Sequence, residues 1–191
     1  PSVAVRVSGH PIFRSLLEKL EFPLAAPSAN PFGYVSPTLA EHVASTLGDR
    51  ILAVIDGGAC KYGVESTIVD LRDPDAPKIL RPGPLSADQL GMHGVEVEQS
   101  SNELAQTAPG MLTQHYSPNT PITLFGHDEQ PNNVQKSEAV LYNTKPTGIL
   151  AENTFWLSES GDLTEIAHNL FMLIQKLDVR DYTQLKVERA E

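Results

Sequence analysis

The chain has 191 residues, with 24 acidic against 14 basic side chains (a net charge of −10), 40% hydrophobic and 20% charged. That mixture can bury a core; it contains no apolar run of the roughly 18 residues a bilayer requires, no basic-then-apolar secretory start and too few cysteines, Cys60 alone, for a disulfide framework. The acidic balance and scattered Lys and Arg argue against stable direct RNA binding, and the six histidines never fall at metal-ligand spacing, so no metal held directly by protein ligands is expected.

Residues 2–7 alternate Val3, Val5 and Val7 with Ser2, Ala4 and Arg6, the period-two pattern of a strand. Pro11 then opens a helix with Ile12, Leu16, Leu17 and Leu20 at helical spacing. Residues 24–26 are a short strand candidate, and 27–34 a turn-rich loop. Ser36-Pro37 reads as the capped start of a helix running to Leu47, with Gly48 as its stop. The apolar run 51–55, ended by Asp56-Gly57-Gly58, reads as a central strand. Two further strands, 66–71 and 78–80, flank the turn Asp73-Pro74-Asp75, and Ser86 with Gln89 forms a capping box for a short helix ended by Gly91.

From about His93 the chain becomes polar and turn-prone, as in a linker. Beyond it, Ile122–Phe125, 139–142 and 154–157 read as strands, 163–177 as the strongest helix, capped by Asp162 with Glu165 completing a box-like start, and Gln184–Glu188 as a last strand. Alternating strands and helices predict an α/β sheet fold, divided into a first unit at 1–93, a linker at 94–121 and a small second unit at 122–191. The chain opens and closes directly on strand-like runs, which suggests a segment of a longer protein.

Three polar constellations interrupt the apolar pattern. Pro27-Ser28-Ala29-Asn30-Pro31 can present a hydroxyl and an amide to a ligand at a strand end; a turn in which both side chains bond their own backbone is the simpler reading. The loop 57–67 delivers Glu65, Ser66 and Thr67 to a strand, and is no P-loop because the GK[ST] ending is missing. Cys60 has no base paired with it and reads as a bystander. Arg81-Pro82-Gly83-Pro84 places a guanidinium at a strand end, suited to phosphate or carboxylate, and Arg6 is a comparable candidate; a surface ion pair is the ordinary alternative for each. Such a set positions an anion more readily than it performs covalent catalysis.

Residues 27–33 with Ser36-Pro37-Thr38, then Asp56-Gly57-Gly58, the string 63–70 and Leu80-Arg81-Pro82-Gly83 resemble the ordered signatures of the YrdC-like family. Ala108-Pro109-Gly110-Met111 followed by His115-Tyr116-Ser117-Pro118 is similar to the linker of its two-domain members, the threonylcarbamoyl-AMP synthases. The resemblance implies part of a YrdC-like twisted open sheet, a lid-like linker and part of a small Rossmann-like domain. It implies synthesis of L-threonylcarbamoyladenylate from L-threonine, bicarbonate and ATP with its magnesium, with the product passed to tRNA-modification proteins; the single cysteine fits a reducing cytoplasm.

By the same resemblance Arg6, Ala26 and Ser66 would bind threonine. Ser2, Ser28, Asn30, Ser36, Arg81 and one of His115 and Tyr116 would bind ATP. The family's basic Lys-x-Arg motif precedes the first strand seen here and is not in this sequence, so the 191 residues alone are expected to bind ATP poorly and turn over little. A carbamoyl-adenylate-forming enzyme and a non-catalytic RNA-binding module are the competing readings.

Overall fold

A computed structural model of the chain describes residues 2–95, 97–99, 116–127 and 129–190. It is mixed α/β, with two sheets and four α-helices among those residues. No helix among them is long and apolar enough to cross a membrane.

The first half holds α1 (Pro11–Leu17), α2 (Ala40–Leu47), the antiparallel pair β1 (Ile68–Asp70) and β2 (Lys78–Arg81), α3 (Ala87–Gly91) and β3 (Glu98–Gln99), which runs parallel to β2. Pro11 sits at the first position of α1, where its missing N–H costs nothing. The Ser86–Gln89 capping box forms with both reciprocal bonds, Gln89 N to Ser86 Oγ at 3.2 Å and Ser86 N to Gln89 Oε1 at 2.9 Å. A register shift between Ile68 and Val69 interrupts β1 where it meets Arg81, as bulges do when they re-aim a side chain.

Several expected elements do not form. Residues 2–7, 24–26 and 51–55 are neither helix nor strand, and Val3, Val5 and Leu52 are 83%, 83% and 103% exposed. An apolar or alternating run supplies one edge only; a strand also needs a hydrogen-bonded neighbour, and these segments have none among the described residues. Nor does Ser36 cap α2. The helix starts four residues later, behind Leu39, because the Ser36 hydroxyl is committed to Glu65. Gly48 has right-handed backbone and passes the chain into a 3-10 turn, Gly48–Arg50, rather than a left-handed stop.

The second half follows its sequence pattern closely. β4 (Ile122–Phe125), β5 (Glu138–Thr144), β6 (Thr154–Ser158) and β7 (Gln184–Glu188) form a fully parallel sheet in the order β4-β7-β5-β6, and α4 (Leu163–Asp178) is the crossover from β6 to β7. Parallel strands of one sheet require such a crossover. Asp162 Oδ1 accepts the Glu165 N–H at 2.8 Å, while the Glu165 carboxylate accepts from Ser158 at 2.5 Å instead of closing a box. Ala139, Leu141, Leu157, Leu177 and Leu185 form the core, joined by Val35 from the first half, itself fully buried. One loop of the first half is thus built into the core of the second, which fixes how the two meet.

Candidate active site

Two glycines set the backbone of the site. A Cβ on Gly83 would collide with the backbone of Glu65, Ser66 and Thr67, so only glycine lets the 81–84 turn lie against that strand entry. A Cβ on Gly63 would collide with the carbonyl groups of Ala167 and His168 in α4. Nearby, Gly58 adopts a φ of 82° and its N–H is held by Asp56 Oδ1 at 2.8 Å, while His10 Nε2 donates to the Gly57 carbonyl at 3.2 Å.

This backbone brings four of the expected ligand residues into one network, two of them on the Glu65 carboxylate and two on Arg81. Arg81 Nε donates to the Ser66 carbonyl and Nη2 to Ser66 Oγ, each at 3.0 Å. Nη2 also lies 3.3 Å from Glu65 Oε2, and Nη1 donates to the Tyr116 hydroxyl at 3.3 Å. The other Glu65 oxygen accepts from Ser36 Oγ at 2.6 Å. Burial raises the Tyr116 pKa, the Glu65 charge adding and Arg81 opposing, so its phenol stays protonated at neutral pH. Tyr116 has a φ of 61°, a left-handed conformation that costs a non-glycine residue about 1–3 kcal/mol. Its ring stacks on Phe171 of α4, and the Ser117 N–H bonds the Gly33 carbonyl at 2.9 Å.

The remaining candidates lie apart from this cluster. Asn30 does what the simpler reading held: Nδ2 donates to the Pro31 and Tyr34 carbonyls at 3.1 and 2.9 Å, folding its own loop. Its Oδ1 is buried without a partner among the described residues. Flipping the amide would turn that oxygen toward two carbonyls, so the orientation is set by the loop. Ser2, Arg6, Ala26 and Ser28 are exposed. His115 lies outside the described residues. Cys60 is exposed overall, but partial burial of the thiol and the Glu65 charge raise its pKa, which disfavours the reactive thiolate.

Sequence reasoning assigned no role to Glu65, though it lies inside a quoted motif, nor to the residues of α4 that reach the site loops. Asp178 is the clearest of these. It accepts from Tyr34 Oη at 2.7 Å, Thr120 N at 2.7 Å and Asn119 Nδ2 at 3.1 Å. Burial alone would raise its pKa, but these bonds favour the carboxylate more and hold the pKa below the ordinary 3.8. A depressed folded-state pKa contributes stability above the unfolded value, lost as pH falls through the folded one. Asp178→Asn should therefore melt below the parent at neutral pH, and the gap should close as pH falls below 3.8. A gap unchanged into acid would show that the carboxylate charge plays no part.

A cleft of about 1160 Å³ runs between α2 and α4, past Gly33, Tyr34, Ser117 and Asp178. Glu65, Ser66 and Arg81 do not line it, so the polar cluster, not the cleft, is the candidate site. Among the described residues no three His, Cys, Asp or Glu side chains come together as a metal site, and both Glu65 oxygens are engaged. This donor set offers no ready protein cage for a magnesium ion among the described residues.

Known proteins of one family resemble the chain over nearly its full length. Residues 1–83 match the Sua5/YciO/YrdC family model, described as "Telomere recombination", and residues 79–191 match the model described as "Threonylcarbamoyl-AMP synthase, C-terminal domain". Threonylcarbamoyl-AMP synthase of Schizosaccharomyces pombe is 33% identical over 97% of this chain and 52% of its own length. That of Pyrococcus abyssi is 33% identical over 93% and 55%. The crystal structure of P. abyssi Sua5 complexed with L-threonine superposes with a TM-score of 0.79 at 32% identity, covering 99% of this chain and 59% of that one. The chain spans about half the length of these relatives. With family models covering both halves and the fold matching, the chain belongs to the Sua5/YrdC-like family.

Proposed function

We propose that this chain supplies part of the site that makes L-threonylcarbamoyladenylate from L-threonine, bicarbonate and ATP, releasing pyrophosphate. The observation that carries the reading is one network drawn from three separate motifs and the linker: Ser36 and Arg81 both hold the carboxylate of Glu65, and Arg81 in turn bonds Ser66 and Tyr116. The relatives' names supply the reaction; the cluster is suited to it.

The threonine amine adds to bicarbonate with loss of water, giving a carbamate. A carbamate oxygen then attacks the α-phosphorus of ATP, the bond to the β-phosphate oxygen breaks, and pyrophosphate leaves. No protein nucleophile is needed; the barrier is lowered by alignment and by positive charge near the phosphates. Arg81 supplies that charge. Glu65 and the Ser66 carbonyl hold its guanidinium in one orientation before substrate arrives, so little reorganisation remains.

In this reading Ser66, Arg6 and Ala26 face threonine. Ser2, Ser28, Asn30, Ser36, Arg81 and Tyr116 or its neighbour His115 face ATP, which brings magnesium with it. The segment through His115 and Tyr116 shields the adenylate from water. The product serves tRNA modification in the cytoplasm through partner proteins.

The test is pyrophosphate release from ATP, with and without threonine and bicarbonate, by the full-length gene product beside the 191-residue polypeptide. The full-length protein should need both cosubstrates. The 191 residues alone should turn over little, because Ser2, Arg6, Ala26 and Ser28 lie exposed in segments without strand partners among the described residues. Release by the full-length protein that ignores threonine would sink the assignment in favour of carbamoyl transfer.

A further inference from the structure

α4 has two working faces. Ile166, Leu170, Ile174 and Leu177 belong to or pack against the core of the second sheet. Offset from them, His168, Phe171, Gln175 and Asp178 recur at spacings of three, four and three along one stripe about 15 Å long, with Phe171 at its border also packing against the core. Every member of that stripe touches a loop of the candidate site. His168 Nδ1 donates to the Lys61 carbonyl at 3.0 Å, beside the seat of Gly63. The Phe171 ring stacks on Tyr116, with centroids 5.5 Å apart. Gln175 Nε2, buried, donates to the Ser36 carbonyl at 2.7 Å, and Asp178 accepts from Tyr34 at 2.7 Å.

We propose that this stripe of α4 positions the nucleotide-contacting side chains, so that the second unit tunes ATP binding without touching the substrate. The inference rests on the reading of Ser36 and Tyr116 as ATP residues. The physical argument is one of order. Tyr116 is held in a left-handed conformation that needs outside support, and the stacked Phe171 ring supplies a partner from a rigid helix. The Ser36 hydroxyl reaches Glu65 only if its backbone stays in place, and the Gln175 amide is a buried bond on that backbone. A site held by loops gains precision when those loops are fixed to a regular element.

The experiment uses the full-length protein and the variants Phe171→Ala, Gln175→Met and Asp178→Asn, with Lys176→Ala, an exposed position on the same helix, as control. KM for ATP should rise by about 3- to 30-fold in the stripe variants, the range by which groups coupled to a site without touching its ligand change binding. KM for threonine should stay near that of the parent. Phe171→Tyr should restore the ATP value, since the ring is what stacks. Amide hydrogen exchange in residues 31–38 and 61–67 should quicken in the stripe variants and not in the control. If Phe171→Ala does not fold, the two volume-conserving variants carry the test. Faster exchange or a lower melting temperature with both KM values unchanged would make the stripe merely structural and overturn the proposal. Absence of threonine-dependent release from the parent protein would remove the underlying assignment, and the stripe's role with it.

Discussion

Arg81→Ala should lower kcat/KM for threonine-dependent pyrophosphate release by about 10²- to 10³-fold, the cost of removing one preorganised donor from a charge-developing site. Two losses combine. The guanidinium leaves, and with it three hydrogen bonds that tie Ser66 and Tyr116 together. The Glu65 carboxylate stays behind, only 26% exposed, stripped of its cation and close to where phosphate must sit. A partly buried charge without its partner is destabilising, and here it also repels the substrate. Arg81→Lys keeps the charge but has one nitrogen where the guanidinium uses three, so it should recover only part of the loss. The check is initial-rate pyrophosphate release by the full-length protein across a range of ATP concentrations. An alanine variant within about threefold of the parent would take Arg81 out of the phosphate site.

Gly63→Ala should be strongly damaging. Gly63 is buried, and the added methyl would meet helix backbone at Ala167 and His168, which cannot rotate aside as a side chain could. Overpacking of this kind costs about 1–3 kcal/mol, read as a fall in melting temperature. Gly91, at the end of α3, has nothing within 4 Å of its would-be Cβ and no left-handed φ. Gly91→Ala should be neutral or slightly stabilising. If the two substitutions cost the same, the contact between the Gly63 loop and α4 does not form in solution.

Legibility of the chain tracks how local each cause is. The second half was readable nearly to the residue because its signals are self-contained: an alternating run in β7, a helical period in α4, an Asp162 cap. The Ser86 capping box was equally local. Residues 51–55 show the opposite case. Their apolar run is as strand-like as that of β5, but strand formation is a property of a pair, and no neighbour is present among the described residues.

The site divides in the same way. Ser36, Ser66, Arg81 and Tyr116 lie in recognisable strings, so their meeting could be anticipated. The part played by Glu65 exists only through contacts across 16 and 29 residues, and Asp178 meets Tyr34 across 144. No window of sequence contains both ends of such a bond. Ser36 was misread for this reason, because its hydroxyl looks like a helix cap until Glu65 claims it.

The double-sided character of α4 bears on how the gene can vary. A helix that packs on one side normally leaves half its circumference free to drift, so its surface positions accept almost any helix-former. In α4 the sheet claims one side and the site loops another, which leaves Leu163, Thr164 and Lys176 as its exposed positions. A saturation library of these 16 residues would therefore tolerate change at few sites. The narrowest tolerance outside the core would fall at Phe171, Gln175 and Asp178, so selection would act on the second unit as though it were part of the active centre.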